Sequence, residues 1–291
     1  MANRRVLVKR RKAVRNIRKI TRTMQLIATA RFQAAFNRAV ATKPYTEKLA
    51  ELVADLSRAA GDIDHPLLRT NDDAKQAALV VVTADRGLAG GYNANILRSA
   101  IAHLDQEPAT GLDTQVHMVG NKGIAYFRFL RRPVAQTTSG IGDKPRFEDV
   151  EPIANQLIEL FQRGEIASAH VAYMKFFSPG VQRPVVVQLL PLKPASAAEG
   201  APAPRPVEYE FSPAPKELLD ELLPATVRVR LFQAFTDAAV SEQVARMVAM
   251  KAATDAAGDM IKSLTREYNR ARQTQITMEL LDIVGGANAL A

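Results

Sequence analysis

From Ala225 to Val284 the chain has no proline, and Gly258 is its only glycine. Within that run Val240, Val244, Met247, Met250, Thr254, Ala257, Ile261, Leu264, Tyr268, Ala271, Gln275 and Met278 follow one another at steps of three and four. This is a heptad seam with one three-residue slip between Met247 and Met250, which overwinds a coil locally. Several seam positions are small or polar, so the partner lies close and the joint is narrow. A self-dimerising zipper would carry Leu or Ile at most of them. Gly258 costs a helix about 1 kcal/mol relative to Ala, but near the seam it allows close approach of another helix. The helix is expected to stop at Gly285-Gly286. Upstream, Ser212-Pro213 is expected to open a short helix from Lys216 to Leu222, set apart from the long one by Pro224.

The amino-terminal end has the same character. Val14, Ile17, Ile20, Met24 and Ile27 are spaced to share one side of a helix. Glycine and proline are absent until Pro44, which predicts a kink or a lost hydrogen bond rather than a stop. Leu49, Leu52, Val53 and Leu56 resume the apolar stripe, and Gly61 is the expected end. At 1.5 Å per residue such a helix is roughly 85 Å long. Two long helices at opposite ends of one chain, each with a seam, satisfy each other as an antiparallel intramolecular coiled coil. A bundle of shorter helices would need breaks where the sequence has no breakers.

Charge narrows the function classes. The formal net charge is +9, and Arg4, Arg5, Lys9, Arg10, Arg11, Lys12, Arg15, Arg18, Lys19 and Arg22 all precede the first acidic residue, Glu47. Such an arm fits a nucleic-acid or anionic-membrane binder. A mitochondrial transit peptide would be basic too, but this stretch has no serine and its helical pattern continues past Arg31. The absence of cysteine excludes disulfides and thiolate metal sites. No apolar run approaches the roughly 18 residues that span a bilayer.

Between the helical ends lies an α/β pattern. Strands are predicted at 78–84, 115–120, 170–177 and 184–192, and helices at 93–104, 121–130 and 150–163. Strand alternating with helix implies a mostly parallel sheet covered on both faces. Residues 193–206 form a Pro/Ala-rich loop. Asp85, Arg86, Gly87, Gly90, Gly91 and Asn93 sit in a turn after the first strand, where α/β proteins bind phosphates. The turn lacks the Lys-Ser/Thr of a P-loop and the glycine spacing of a dinucleotide site. It therefore reads as a tight joint whose glycines admit positive φ. His65, His103, His117 and His170 have no metal-ligand spacing, and Ser139 and Ser178 lie in no nucleophile elbow. No catalytic, cofactor or metal residue is predicted.

Particular stretches resemble the gamma subunits of F-type ATP synthases. Lys19-Ile20-Thr21-Arg22-Thr23-Met24 is similar to that family's Lys-Ile-Thr-Lys-Ala-Met segment. Asp85 to Asn93 resembles its Ser-Asp-Arg-Gly-Leu-Cys-Gly-Gly turn, with Ala84 and Ala89 replacing Ser and Cys. Phe176 to Pro191 resembles its strand pair ending in Leu-Leu-Pro. Ser241-Glu242, Arg246-Met247, Met250-Lys251, Ala253 to Ala256 and Tyr268 to Gln273, continuing into Ile276 to Leu280, match its carboxy-terminal signature. Met278, Ile17 and the Pro/Ala loop depart from the pattern.

The resemblance implies a fold and a role. The fold is an α/β domain of the Rossmann-like kind plus a long antiparallel coiled coil: shaft helices over 1–60 and 212–291, and an α/β foot over 75–211. The role is that of a non-catalytic rotor. Three alpha and three beta subunits would surround the shaft, with Met24 beside the beta loop that couples to rotation and Arg272, Gln273, Thr277 and Glu279 on polar contacts at the shaft end. The foot would meet the epsilon subunit and the membrane c-ring. The protein would be peripheral, on the cytoplasmic face of a bacterial inner membrane, touching membrane only through partners and binding neither cofactor nor nucleic acid.

Overall fold

The computed structural model describes residues 4–59, 65–106, 112–192 and 215–289. Helix α1 is Arg4–Ala59, followed by strand β1 (Gln76–Val82), α2 (Tyr92–Gln106), β2 (Asp113–Val119), α3 (Asn121–Phe129), β3 (Gln136–Thr138), α4 (Phe147–Gln162), β4 (Ser168–Ser178), β5 (Val181–Leu190) and α5 (Pro215–Ala289). The chain divides into two compact units, one of Met1–Thr29 with Arg246–Ala291 and the other Ala30–Ala245.

In the larger unit the sheet has the order β3-β2-β1-β4-β5. β1 pairs in parallel with β2 and β4, β2 in parallel with β3, and β4 antiparallel with β5. The continuous apolar run of β1 is explained by burial on both faces. Ala78, Val80 and Val82 face α4 and the first half of α5, whereas Leu79 and Val81 face α2 and α3. β3 was not legible in advance: Gln-Thr-Thr shows no apolar alternation, and main-chain pairing of Gln136 with His117 makes it a strand.

Two expected helix stops are overturned. α5 runs unbroken through Pro224, so no separate helix covers 216–222. Leu219, Leu223, Val227 and Leu231, one turn apart on both sides of the proline, are fully buried. At about 1.5–3 kcal/mol per side chain, their burial outweighs the roughly 3 kcal/mol that an interior proline costs. α5 also continues past Gly285 to Ala289, and Gly285 does not take the left-handed conformation that ends a helix. Pro44 lies inside α1, so it is no stop, as expected. The predicted ends at Gly61 and Ser212-Pro213, and the 193–206 loop, fall outside the described residues.

In the smaller unit the two ends of the chain pair antiparallel. Thr254 Oγ1 lies 2.8 Å from Thr21 Oγ1, and the Arg11 guanidinium stands 4.9 Å over the Tyr268 ring. Met250, Thr254, Ala257 and Leu264 are buried, with Ile261, Tyr268 and Ala271 half-buried. The seam fades at Gln275 and Met278, which are exposed. Residues that face each other have numbers adding to about 275–279, so beyond Gln275 there is no opposite residue among those described.

The amino-terminal stripe is a correction. The buried row of α1 here is Leu7, Thr21 and Ala28, with Val14 half-buried, while Ile17, Ile20 and Ile27 are 51%, 58% and 48% exposed. A narrow joint takes the small residues and leaves the isoleucines outside. Gly258 faces Arg18 of α1, and a Cβ there would meet Arg18 Nε at 3.8 Å, an ordinary contact, so there is room for the methyl. Gly258→Ala is therefore expected to raise stability by about 1 kcal/mol, measured by urea unfolding. Destabilisation would show that the helices need the missing methyl.

Candidate functional site

The turn after β1 is held by its own side chains. Asp85 Oδ1 accepts from the Asn121 main-chain N–H and from Asn121 Nδ2, both at 3.1 Å. Its Oδ2 accepts from the Gly140 N–H at 3.1 Å. Asn93 Oδ1 accepts from the Ala84 N–H at 2.9 Å, tying the start of α2 to the end of β1. Of the three glycines in the turn only Gly90 has positive φ, +56°; Leu88 supplies the other left-handed residue at +64°. Gly87 packs against the Lys122 side chain and Gly91 against Asn95, and Arg86 is exposed.

Beneath the turn, Thr83 Oγ1 donates to the Val119 carbonyl at 2.7 Å and accepts from the Gly123 N–H at 2.9 Å. Gly120, at φ +92° and ψ 139°, passes so near that a Cβ would sit 2.2 Å from the Thr83 carbonyl oxygen. The N-terminus of α3, where a phosphate would be drawn, is thus occupied by the Asp85 carboxylate. The adjoining cavity, lined by Thr83, Asp85, Tyr92, Gly120 and Glu242, measures about 30 Å³, which accommodates about one water. The turn ties three strand ends together.

The titratable groups describe packing. Burial lowers His117 to about 4, and its Nε2 lies 2.9 Å from Thr138 Oγ1, bridging β2 and β3. Burial raises Asp237 to about 6, opposed by a hydrogen bond from Gln233 and by Lys175 and Lys43. It also raises the Tyr173 phenol, with Asp237 adding to the effect. His103 and His170 pack with ring centres 4.9 Å apart and planes tilted by 59°. No group of His, Asp and Glu among the described residues is arranged to hold a metal.

The smaller unit presents a different surface. The arginines and lysines from Arg4 to Arg22 are exposed, except half-buried Arg11. Met24 is half-buried, on the same helix as exposed Ile20 and Ile27. Arg272, Gln273, Thr277 and Glu279 are all exposed. Thr277 Oγ1 donates to the Gln273 carbonyl at 3.0 Å, and Gln275 Nε2 to Glu279 Oε1 at 2.8 Å. Between these polar residues Ile276, Leu280, Leu281, Ile283 and Val284 are exposed as well. So much uncovered apolar side chain, mixed with exposed polar groups, marks an interaction surface. The structure therefore puts the proposed contact residues and the turn residues in different units.

Comparison with known sequences identifies the family. A family model described as "ATP synthase" matches residues 3–290. A gamma chain of ATP synthase from Rhodopirellula baltica is 44% identical over 295 residues, covering 100% of this chain and 99% of the relative. One from Frankia casuarinae is 41% identical over 97% of this chain and 96% of the relative.

The chain belongs to the ATP synthase gamma chain family.

Its fold agrees with solved members of rotary complexes. A chain from the Euglena gracilis mitochondrial ATP synthase, in a structure of its OSCP/F1/c-ring assembly, aligns with a TM-score of 0.66 at 17% identity, over 99% of this chain and 94% of that one. A chain of the Tetrahymena thermophila central stalk and c-ring aligns at 0.56 and 18% identity, over 80% of this chain and 99% of that one. As a gamma chain it is the non-catalytic central-stalk subunit of an F-type ATP synthase. Nothing in these relatives supports a nucleic-acid binder.

Sequence reasoning missed Thr83 and Gly120, whose importance lies in a close approach that no motif records. Gly120→Ala is expected to cost about 3 kcal/mol or more, combining a backbone region reserved for glycine with overpacking. Equilibrium denaturation of the variant checks this, and a variant as stable as the parent would refute the geometry.

Proposed function

We propose that the helices over 1–60 and 212–291 turn as a shaft inside a sleeve of three alpha and three beta subunits, on a foot formed by 75–211. The observation that carries this reading is the outward apolar surface of the paired helices, continued on α5 beyond Gln275 where no opposite residue lies among those described. A surrounding sleeve gives those side chains a place out of water. A seam of small residues keeps the pair thin enough to turn there.

The polar residues set the character of the contact. Exposed arginines and lysines of the first helix attract acidic segments of the beta subunits, and each exposed pair contributes about 0–1 kcal/mol. Pairs that weak can exchange as the shaft changes angle. Met24 stands beside the coupling loop of beta, and Arg272, Gln273, Thr277 and Glu279 contact the ring at the shaft end. The foot binds the epsilon subunit and the membrane c-ring. No described helix is long and apolar enough to cross a membrane, so we place the chain peripherally, on the cytoplasmic face of a bacterial inner membrane and attached through its partners. Because each beta subunit meets a different face of an asymmetric shaft, each favours a different conformation, and turning the shaft moves those preferences round the ring.

Met24→Lys is expected to leave the subunit folded and assembled while lowering ion pumping per ATP hydrolysed, since the added charge holds the beta loop. Simultaneous measurement of hydrolysis and vesicle ion uptake checks it. Unchanged coupling would remove Met24 from the contact.

A further inference from the structure

In the larger unit one loop residue joins both long helices. Asp143 lies between β3 and α4, in a Gly140-Ile141-Gly142-Asp143 turn whose glycines have φ of +89° and +64°. Its Oδ2 takes the guanidinium of Arg31 on α1. Its Oδ1 accepts from Nε2 of Gln243 on α5 at 2.9 Å. Its carbonyl oxygen lies 3.5 Å from Arg38 Nη2, also on α1. The Asp143 side chain is 21% exposed and that of Arg31 44%, while Gln243 is fully buried. Arg31 and Arg38 are two turns apart on one helix, which is why a single loop reaches both.

The same loop is anchored at its other end. Gly140 donates to Asp85 Oδ2, and Asp85 Oδ1 holds the N-terminus of α3. The Gly120 N–H reaches the Thr138 carbonyl at 2.8 Å, just before the loop begins. Hydrogen bonds therefore run from the strand ends, through Asp85 and the loop, to Asp143 and the two helices.

Apolar packing alone would hold the helices differently. On α1 it consists of Ala35, Ala39, Phe32 and Phe36 against Val240 and Phe176, with Leu56 and Val53 reaching the main core. Such contacts are non-directional; they oppose separation more than rotation of a helix about its own axis. Hydrogen bonds to a carboxylate are directional and stronger than neutral ones. Asp143 receives one from each helix, so twist of either against the sheet misaligns a bond.

We propose that Asp143 is a positioning residue that locks α1 and α5 to the α/β domain against twist, delivering torque from the domain to both helices together. The inference rests on the rotor reading and adds to it the joint through which that rotor carries load. A loop that merely covered the helices would need no charge at this position.

The test uses the assembled complex, its ring arrested without nucleotide and a probe fixed on the α/β domain, so that the width of angular fluctuations reports torsional stiffness. Asp143→Asn and Arg31→Gln are each expected to broaden the distribution without loss of the subunit from the complex. Exchanging the charges, Arg31→Asp with Asp143→Arg, is expected to narrow it again, the Gln243 amide turning so that Oε1 accepts. Widths equal to the parent in both single variants, or an exchange variant as broad as the singles, would overturn the proposal. If the parent complex does not turn when ATP is added, the rotor reading itself fails; if it turns and the variants are as stiff as the parent, only the role of Asp143 falls.

Discussion

Where Thr21 meets Thr254, two helices from opposite ends of the chain come close enough for their hydroxyls to lie 2.8 Å apart. Thr21 Oγ1 donates to the Arg18 carbonyl at 3.2 Å, and Thr254 Oγ1 also lies 2.8 Å from the Met250 carbonyl, so each buried hydroxyl has an acceptor on its own helix as well as a neighbour across the seam. Ala28 and Ala257 keep the joint equally narrow. From that thinness the outer surface follows. Large apolar residues that cannot fit the seam, Ile17, Ile20 and Ile27, stand outside it.

The larger unit solves the complementary problem of gripping the same two helices. α5 enters it along a fully buried row that tolerates a proline. Further on, Tyr92 Oη donates to the Ala238 carbonyl and Ser241 Oγ to the Met174 carbonyl, both at 3.1 Å. α1 adds an aromatic cluster against Phe176. The strand ends that in other α/β proteins open onto a ligand are here tied together by Asp85 and Thr83. These strand ends form a tied joint, in keeping with a non-catalytic subunit.

Much of this was legible. The heptad steps of α5 are local and periodic, and they located the buried residues correctly as far as Ala271. The β-branched run of β1 announced a strand covered on both faces. Most of what failed depends on tertiary partners, although the helix continues through Gly285 with none nearby. Pro224 and Gly285 are breakers by local rule, yet Leu219 to Leu231 find a core that carries the helix through the first. The isoleucines of α1 made a plausible stripe, but the true seam follows the small residues because the opposite helix is close. The turn residues were read as a joint, though left-handed geometry falls on Leu88 and Gly90 rather than on all three glycines. Asp143 was invisible, since its partners are about a hundred residues away in sequence and only the folded chain unites them.

The central claim is that the two ends of the chain form one coil that turns as a single body. Because the sequence contains no cysteine, Thr21→Cys with Thr254→Cys creates a unique pair where the two hydroxyls lie 2.8 Å apart. On oxidation the account predicts an intramolecular disulfide, and ATP-driven rotation of the assembled complex that continues with the bond in place. Failure of the pair to cross-link, or rotation that stops on oxidation and returns on reduction, would contradict it.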